Sequence, residues 1–370
     1  MKKFWLRSSF LAGIGLLGLC LLGSFTSLEQ NPAPVSLCGT ASRAPHRSPL
    51  PVTHTAAGSR ASPQLPAQKA KTLIFVGDVM LSRGVGGKMR SGGDWTYPFR
   101  QIAETLRAAD LIYGNLECPV SDQGRDLHHL YSFRADPRIL EGLKYAGFVV
   151  LSQANNHAYD WGPKALLDSL RRLRAEGIRP VGAGQSDLEA HYPVLVNLDG
   201  VKIGFLAYVN IHPKEATAGV DKPGVAWLDP ERVLADIRFA RSLVDILVVC
   251  PHWGVEYATQ PTREQVDLGQ KMIDAGADLI VGSHPHVVQP LDQYRGRWIA
   301  YSLGNFVFDQ KNPSTHRGLM LKVTLRGKQV KDLTLIPITI ANCQAMITPP
   351  REATPPLRLA SRTPAAPTVQ

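Results

Sequence analysis

Between residues 72 and about 347 the chain alternates short apolar, β-branched runs with stretches whose apolar positions recur every three or four residues. The runs at 73–76, 111–113, 148–151, 202–209, 246–249, 279–281 and 298–302 are bounded by Gly, Asp, Asn, Ser or Pro and predict strands. Residues 319–325 and 331–338 alternate with a period of two around Gly327-Lys328, which predicts an antiparallel hairpin. Helical spacing appears at 99–108, 164–175, 231–243 and 263–275, and the last of these opens with Thr262 and Gln265 at capping-box spacing. Such strand–helix alternation predicts one α/β domain with buried sheets over residues 71–348.

Both flanks break the pattern. Lys2, Lys3 and Arg7 precede an uncharged, largely apolar stretch at 8–28, so residues 1–28 read as a signal or a membrane anchor. Basic residues before the segment place the remainder outside the cytoplasm. The length of the stretch and the lack of an A-x-A site favour a retained anchor; a cleaved signal would leave the protein secreted or periplasmic. Cys20 follows Leu19 rather than a small residue, which argues against lipid attachment. Residues 29–70 are rich in Pro, Ala and Ser and predict an extended linker, and 349–370 predict a disordered tail of the same character.

Charge changes the picture only once it is placed. The chain carries a formal +10, of which +6 falls on residues 1–70 and +2 on 349–370, leaving +2 for 71–348. A nucleic-acid-binding domain carries its positive charge on its folded face, so that class is excluded. Five widely spaced cysteines without a C-x-x-C motif exclude a disulfide framework and a thiolate metal site.

The chemistry lies where the predicted strands end. Successive strands run into Gly77-Asp78, Gly114-Asn115-Leu116-Glu117, Asn155-Asn156-His157, Pro251-His252 and Gly282-Ser283-His284-Pro285-His286. Taken singly, Asp78 caps a turn, Glu117 is a surface carboxylate, and each histidine is a packed or loop residue. Taken together, they converge where α/β sheets bind ligands, beyond the carboxyl ends of the strands. Imidazole, carboxylate and amide oxygen without thiolate suit one or two divalent ions of Mn, Fe or Zn. Two ions sharing a carboxylate lower the pKa of a bridging water, and a histidine not bound to metal protonates the leaving group.

In this order, with Ser302-Leu303-Gly304-Asn305-Phe306 added, the motifs resemble the CapA family of bacterial capsule (poly-γ-glutamate) synthesis proteins, within the calcineurin-like metallophosphoesterase superfamily. The resemblance runs from about residue 73 to 308 and implies a four-layer αββα sandwich of the metallophosphoesterase type. It further implies that Asp78 binds a first metal and Glu117 bridges. Asn156, His252 and His284 would hold a second metal, His286 would return to the first, and His157 would be the general acid. Asp160 either orients His157 or caps the helix opening at Pro163, and the cap is expected. Asn305 would support the pocket wall. Arg134 is a candidate for holding a substrate carboxylate or phosphate, a surface salt bridge being the commoner role of such a residue. His128 and His129 are expected on a loop surface.

One departure matters. The superfamily's usual Asp-x-His is here Asp78-Val79-Met80, and a thioether is a poor ligand for a hard cation, which leaves the first metal short of protein ligands. The functional expectation is an extracytoplasmic, membrane-anchored protein of capsule or poly-γ-glutamate synthesis or export. Its site would hydrolyse a phosphoester or a polymer linkage. The alternatives are a non-catalytic, metal-dependent polymer-binding component of a synthase and a secreted nucleotidase or phosphodiesterase. Expected partners are an anionic surface polymer or phosphorylated substrate, the membrane, and the membrane subunits of a polymer synthase.

Overall fold

The structure, a computed structural model, describes residues 70–211 and 214–349. The expected anchor or signal at 1–28, nearly all of the linker at 29–70 and all but the first residue of the tail at 349–370 lie outside the described residues. Among those described, no helix is long and apolar enough to cross a membrane.

The chain enters through β1 (Lys71–Val79), α1 (Arg83–Gly92), α2 (Ala103–Arg107), β2 (Leu111–Leu116), α3 (Ile139–Ala146), β3 (Val150–Ser152), α4 (Gly162–Ala175) and β4 (Arg179–Val181). It continues through β5 (Ala183–Gly184), α5 (Asp187–His191), β6 (Val194–Leu198), β7 (Val201–Val209), β8 (Gly224–Val225), α6 (Pro230–Arg241), β9 (Ile246–His252), α7 (Arg263–Ala275), β10 (Leu279–Val281), β11 (Leu291–Tyr294) and β12 (Arg297–Ala300). Then come β13 (Asn305–Val307), β14 (Arg317–Arg326), β15 (Gln329–Ala341) and β16 (Gln344–Ile347). Eight strands form one sheet in the order β16-β15-β14-β1-β2-β3-β4, with β13 also paired to β1. Six form a second sheet, β11-β12-β10-β9-β7-β6.

The four layers follow from the two-residue period of the strands. Leu73 and Phe75 of β1, Phe205 and Ala207 of β7, and Val248 of β9 point into one core between the sheets. The alternate residues Ile74 and Val76 face the other way, against Val85 and Met89 of α1 and Ile139 and Leu143 of α3. On the far side, Leu206, Leu247 and Val249 meet Val233 and Ile237 of α6 and Met272 and Ile273 of α7. Each sheet thus buries both faces, one against its partner and one under helices, giving the expected αββα sandwich.

Two elements depart from the sequence reading. The helix expected over 99–108 is a single 3₁₀ turn at Tyr97–Phe99 followed by the five residues of α2. Conversely, α1 forms in a segment with four glycines, because Val85 and Met89, one helical turn apart, are both fully buried.

Candidate metal centre

Strand register brings the first polar group together. Asp78 of β1 lies opposite Asn115 of β2 on one side and Asn305 of β13 on the other. The approach is close: a Cβ on Gly77 would stand 1.8 Å from the Gly304 carbonyl oxygen, which accepts from the Asp78 N–H at 3.0 Å. Asn115 Nδ2 donates to Asp78 Oδ1 at 2.8 Å. From the second sheet, His252 ends β9 and pairs across to Ser283, in the loop that follows β10. The carboxyl ends of both sheets therefore supply one cluster.

That cluster has two parts. In one, His252 Nε2 stands 2.8 Å from Asn156 Oδ1 and 3.2 Å from His284 Nδ1. Donor atoms each about 2.1 Å from a shared ion stand roughly 3.0–3.4 Å apart, so the spacing suits a metal. Ser283 Oγ lies 3.0 Å and Asn115 Nδ2 3.2 Å from His252 Nδ1, so the protein occupies that side of the ring and Nε2 is the atom facing the cluster. In the other part, Asp78 Oδ2 is 3.3 Å from His286 Nδ1, and Glu117 Oε1 is 3.7 Å from His286 Nε2. Asn305 Oδ1, 3.0 Å from the same Nδ1, accepts its proton and turns Nε2 toward Glu117. Ligand atoms of Asp78, Glu117 and His252 lie within 4.8 Å of one another, linking the two parts.

Three observations test whether these residues fit a cation. Glu117 Oε1 is buried without a hydrogen-bond partner. Such a group is costly unless something outside the protein pairs with it. Burial, and then the nearby Asp78 charge, push the Glu117 carboxyl well above the usual carboxylate range. Burial and neighbouring imidazoles hold His252 well below its ordinary value and bring His284 to about 3, so both rings are neutral with lone pairs to donate. Cys118, beside Glu117, is no thiolate ligand, since burial raises its thiol to about 12. The donor set fits one or two hard or borderline divalent cations. His284 and His286 also adopt φ of 99° and 58°. Such backbone costs about 1–3 kcal/mol per residue and is retained where the side chain must be aimed.

His157 flanks the cluster, with Nε2 4.0 Å from Glu117 Oε1. Its ring stacks on Phe133 at 3.9 Å, and its Nδ1 lies 2.8 Å from Asp160 Oδ2. Asp160 corrects the expected cap. The residue at the start of α4 is Trp161, with no side-chain capping bond, while the Asp160 carboxylate accepts from the Phe133 N–H at 2.7 Å and lies 3.0 Å from His129 Nδ1. A buried carboxylate with three partners on two loops is worth more there than at a helix end. His129 is therefore no plain loop-surface residue, whereas His128 takes φ of 59° and donates only its backbone N–H to Asp126. Arg134 lies 3.5 Å over the Trp161 ring and donates to the Gln123 carbonyl, contacts that take the place of the surface salt bridge.

The sequence reading gave no role to Asn115, Asn155, Ser283, Phe133 or Glu256. Asn155 donates to Asn115 Oδ1 and to the Leu116 carbonyl, tying two loops together. Asn115, Asn155 and Ser283 sit inside the quoted motifs, and that placement is the signal the sequence carries for them. Phe133 carried none.

A family model described as bacterial capsule synthesis protein PGA_cap matches residues 72–310. The chain is 35% identical over 282 residues to the capsule biosynthesis protein CapA of Bacillus anthracis, covering 73% of this chain and 67% of that protein. It is 36% identical over 273 residues to the PGA biosynthesis protein CapA of Bacillus subtilis, covering 72% and 70%. Among solved structures, the NAD nucleotidase of Haemophilus influenzae is similar at a TM-score of 0.43 and 11% identity, over 77% of this chain and 53% of that one.

Proposed function

The chain belongs to the bacterial capsule synthesis protein PGA_cap family, and from that premise we propose that it serves the synthesis or export of a poly-γ-glutamate-type surface polymer as a metal-dependent hydrolase. Its location is outside the cytoplasm, held to the membrane by residues 1–28, with an anionic polymer or phosphorylated group as substrate. Membrane subunits of a polymer synthase are its natural partners. The names of the two Bacillus relatives support the process. The observation that supports hydrolysis is the orphaned Glu117 oxygen at the meeting point of Asp78, His252 and His286, with His157 beside it.

Asp78, Glu117 and His286 would hold one divalent ion and Asn156, His252 and His284 another. Such ions supply Lewis acidity and lower the pKa of water. The chain's own residues do the rest. Asp160 accepts the Nδ1 proton of His157 and fixes the ring, so that Nε2 faces the cluster and carries the transferable proton when the ring is an imidazolium. Phe133 holds the ring plane. The Asp160 carboxylate stabilises the imidazolium, and His157 delivers its Nε2 proton to the departing oxygen or nitrogen.

The test is an assay of the full chain with Mn²⁺ on a generic phosphodiester and on poly-γ-glutamate. His157→Ala should reduce turnover about 10²–10⁴-fold with bound metal unchanged. Full metal occupancy and saturable polymer binding without any turnover would overturn the hydrolase and leave a polymer-binding component.

A further inference from the structure

The carboxylate of Glu256 is exposed, yet a ligand atom of it lies within 4.8 Å of ligand atoms of His284 and His286, both buried. We infer that Glu256 is a further metal ligand, closing the Asp78–Glu117–His286 position from the solvent side. This rests on the metal reading of the site and adds to it the residue that supplies the position's missing donor.

The loop after β9 is built to hold that carboxylate in place. Gly254 takes φ of 94°, and a Cβ there would stand 2.7 Å from the side-chain amide of Gln265. Gln265 cannot retreat, because it is locked with Thr262 in the capping box of α7. On the other side of Glu256, Tyr257 takes φ of 63° and donates its N–H to the Pro285 carbonyl at 2.8 Å. Pro285 is the residue between His284 and His286. The backbone carrying Glu256 is thus fixed to the turn carrying both histidines, and side chain and rings cannot drift apart independently.

Charge supplies a second, independent reason. Asp78, Glu117 and Glu256 converge on the same histidines, and no Lys or Arg among the described residues forms an ion pair with any of the three. Three carboxylates so placed repel one another unless a cation lies between them. Met80, where the first position would otherwise find a histidine, instead accepts at its sulfur from the Ser82 hydroxyl and N–H at 3.2 Å, so it donates nothing to the site. Glu256 alone of the set reaches solvent, so it is also the ligand that an incoming anionic group meets first.

The experiment is calorimetric titration of the full chain with Mn²⁺, repeated with Glu256→Gln and Glu256→Asp, with Mn²⁺ paramagnetic resonance to distinguish one bound ion from a coupled pair. Wild type should bind two equivalents. Glu256→Gln should weaken one of them at least tenfold and lose the coupled-pair signal, with Glu256→Asp in between, while the metal-free variant melts no lower than metal-free wild type because the side chain is exposed and its charge is unpaired there. Wild-type binding with unaltered stoichiometry and affinity in Glu256→Gln overturns this assignment alone. A wild-type chain that takes up no divalent metal overturns the site itself.

Discussion

Two buried polar networks meet at the Leu116 carbonyl, and they are satisfied in opposite ways. On one side Asp168 accepts from Ser121 Oγ at 2.7 Å, Arg172 Nε at 2.6 Å and Arg171 Nη2 at 2.5 Å, while Ser169 Oγ donates to Gln153. Gln153 in turn donates to the Leu116 carbonyl, as Asn155 does from the metal-type cluster. Burial works against the charge on Asp168, but the bonds from Arg172, Ser121 and Arg171 outweigh it and hold the carboxyl below its usual range. Glu117, four residues before Ser121 and fully buried, has no arginine and one oxygen without any partner, and is pushed the other way. One buried carboxylate is finished by the chain, and the other is left for an outside cation. A buried carboxylate without an arginine is thus the more informative of the two.

Removing the outside partner should break this contrast most severely. Asp78→Asn combined with His284→Ala should abolish metal binding and, with it, the stabilisation that metal confers. That stabilisation is about 4 kcal/mol when free ion stands at a thousand times its dissociation constant. Elemental analysis and thermal melts with and without Mn²⁺ measure both effects, and unchanged metal content would refute the site assignment. On the other side of the comparison, Asp168→Asn should cost about 1.5–3 kcal/mol of folding stability by denaturant titration, with metal content intact. Loss of metal in that variant would mean the two networks are one.

The smallest effect sharpens the comparison by its sign. Glu117 has a folded pKa raised above its unfolded value, so its ionisation costs nothing below the unfolded value, progressively more as pH rises from there to the folded one, and a constant amount above it. Glu117→Gln does not titrate. In metal-free protein the variant should therefore melt higher than wild type, by a margin that widens as pH rises from about 4.3 toward the raised value. Excess Mn²⁺ should reverse the order, because only wild type binds it fully. A margin that is flat across pH 5–8 would show that Glu117 is already paired within the protein.

Much of this was legible in the sequence, for physical reasons that also mark its limits. The apolar runs gave the strands because each sheet is buried on both faces, and the strand ends gave the cluster because ligands bind beyond them. Local pattern failed where distant partners decide. Glycine-rich α1 forms because Val85 and Met89 find a core, against the propensity of Gly84, Gly86 and Gly87. Asp160 ahead of Pro163 has the look of a cap, yet His157, His129 and the Phe133 N–H claim it. Glu256 shows no spacing that would mark it, since its position depends on two left-handed residues and on a hydrogen bond to a loop 28 positions later.

The pairing of Asp78 with Asn305 has a consequence for the order of events in the cell. Residues 227 positions apart must dock before His286 is held in its working tautomer. At about 5–20 residues per second, Asp78 is synthesised roughly 11 to 45 seconds before the strand that completes its surroundings. A nascent chain therefore carries acids and amides without the finished pocket, and cannot discriminate among ions by geometry. Whatever ion such a centre takes would find its full set of donors only after β13 has docked on β1, so the pocket is among the last parts of the domain to become complete.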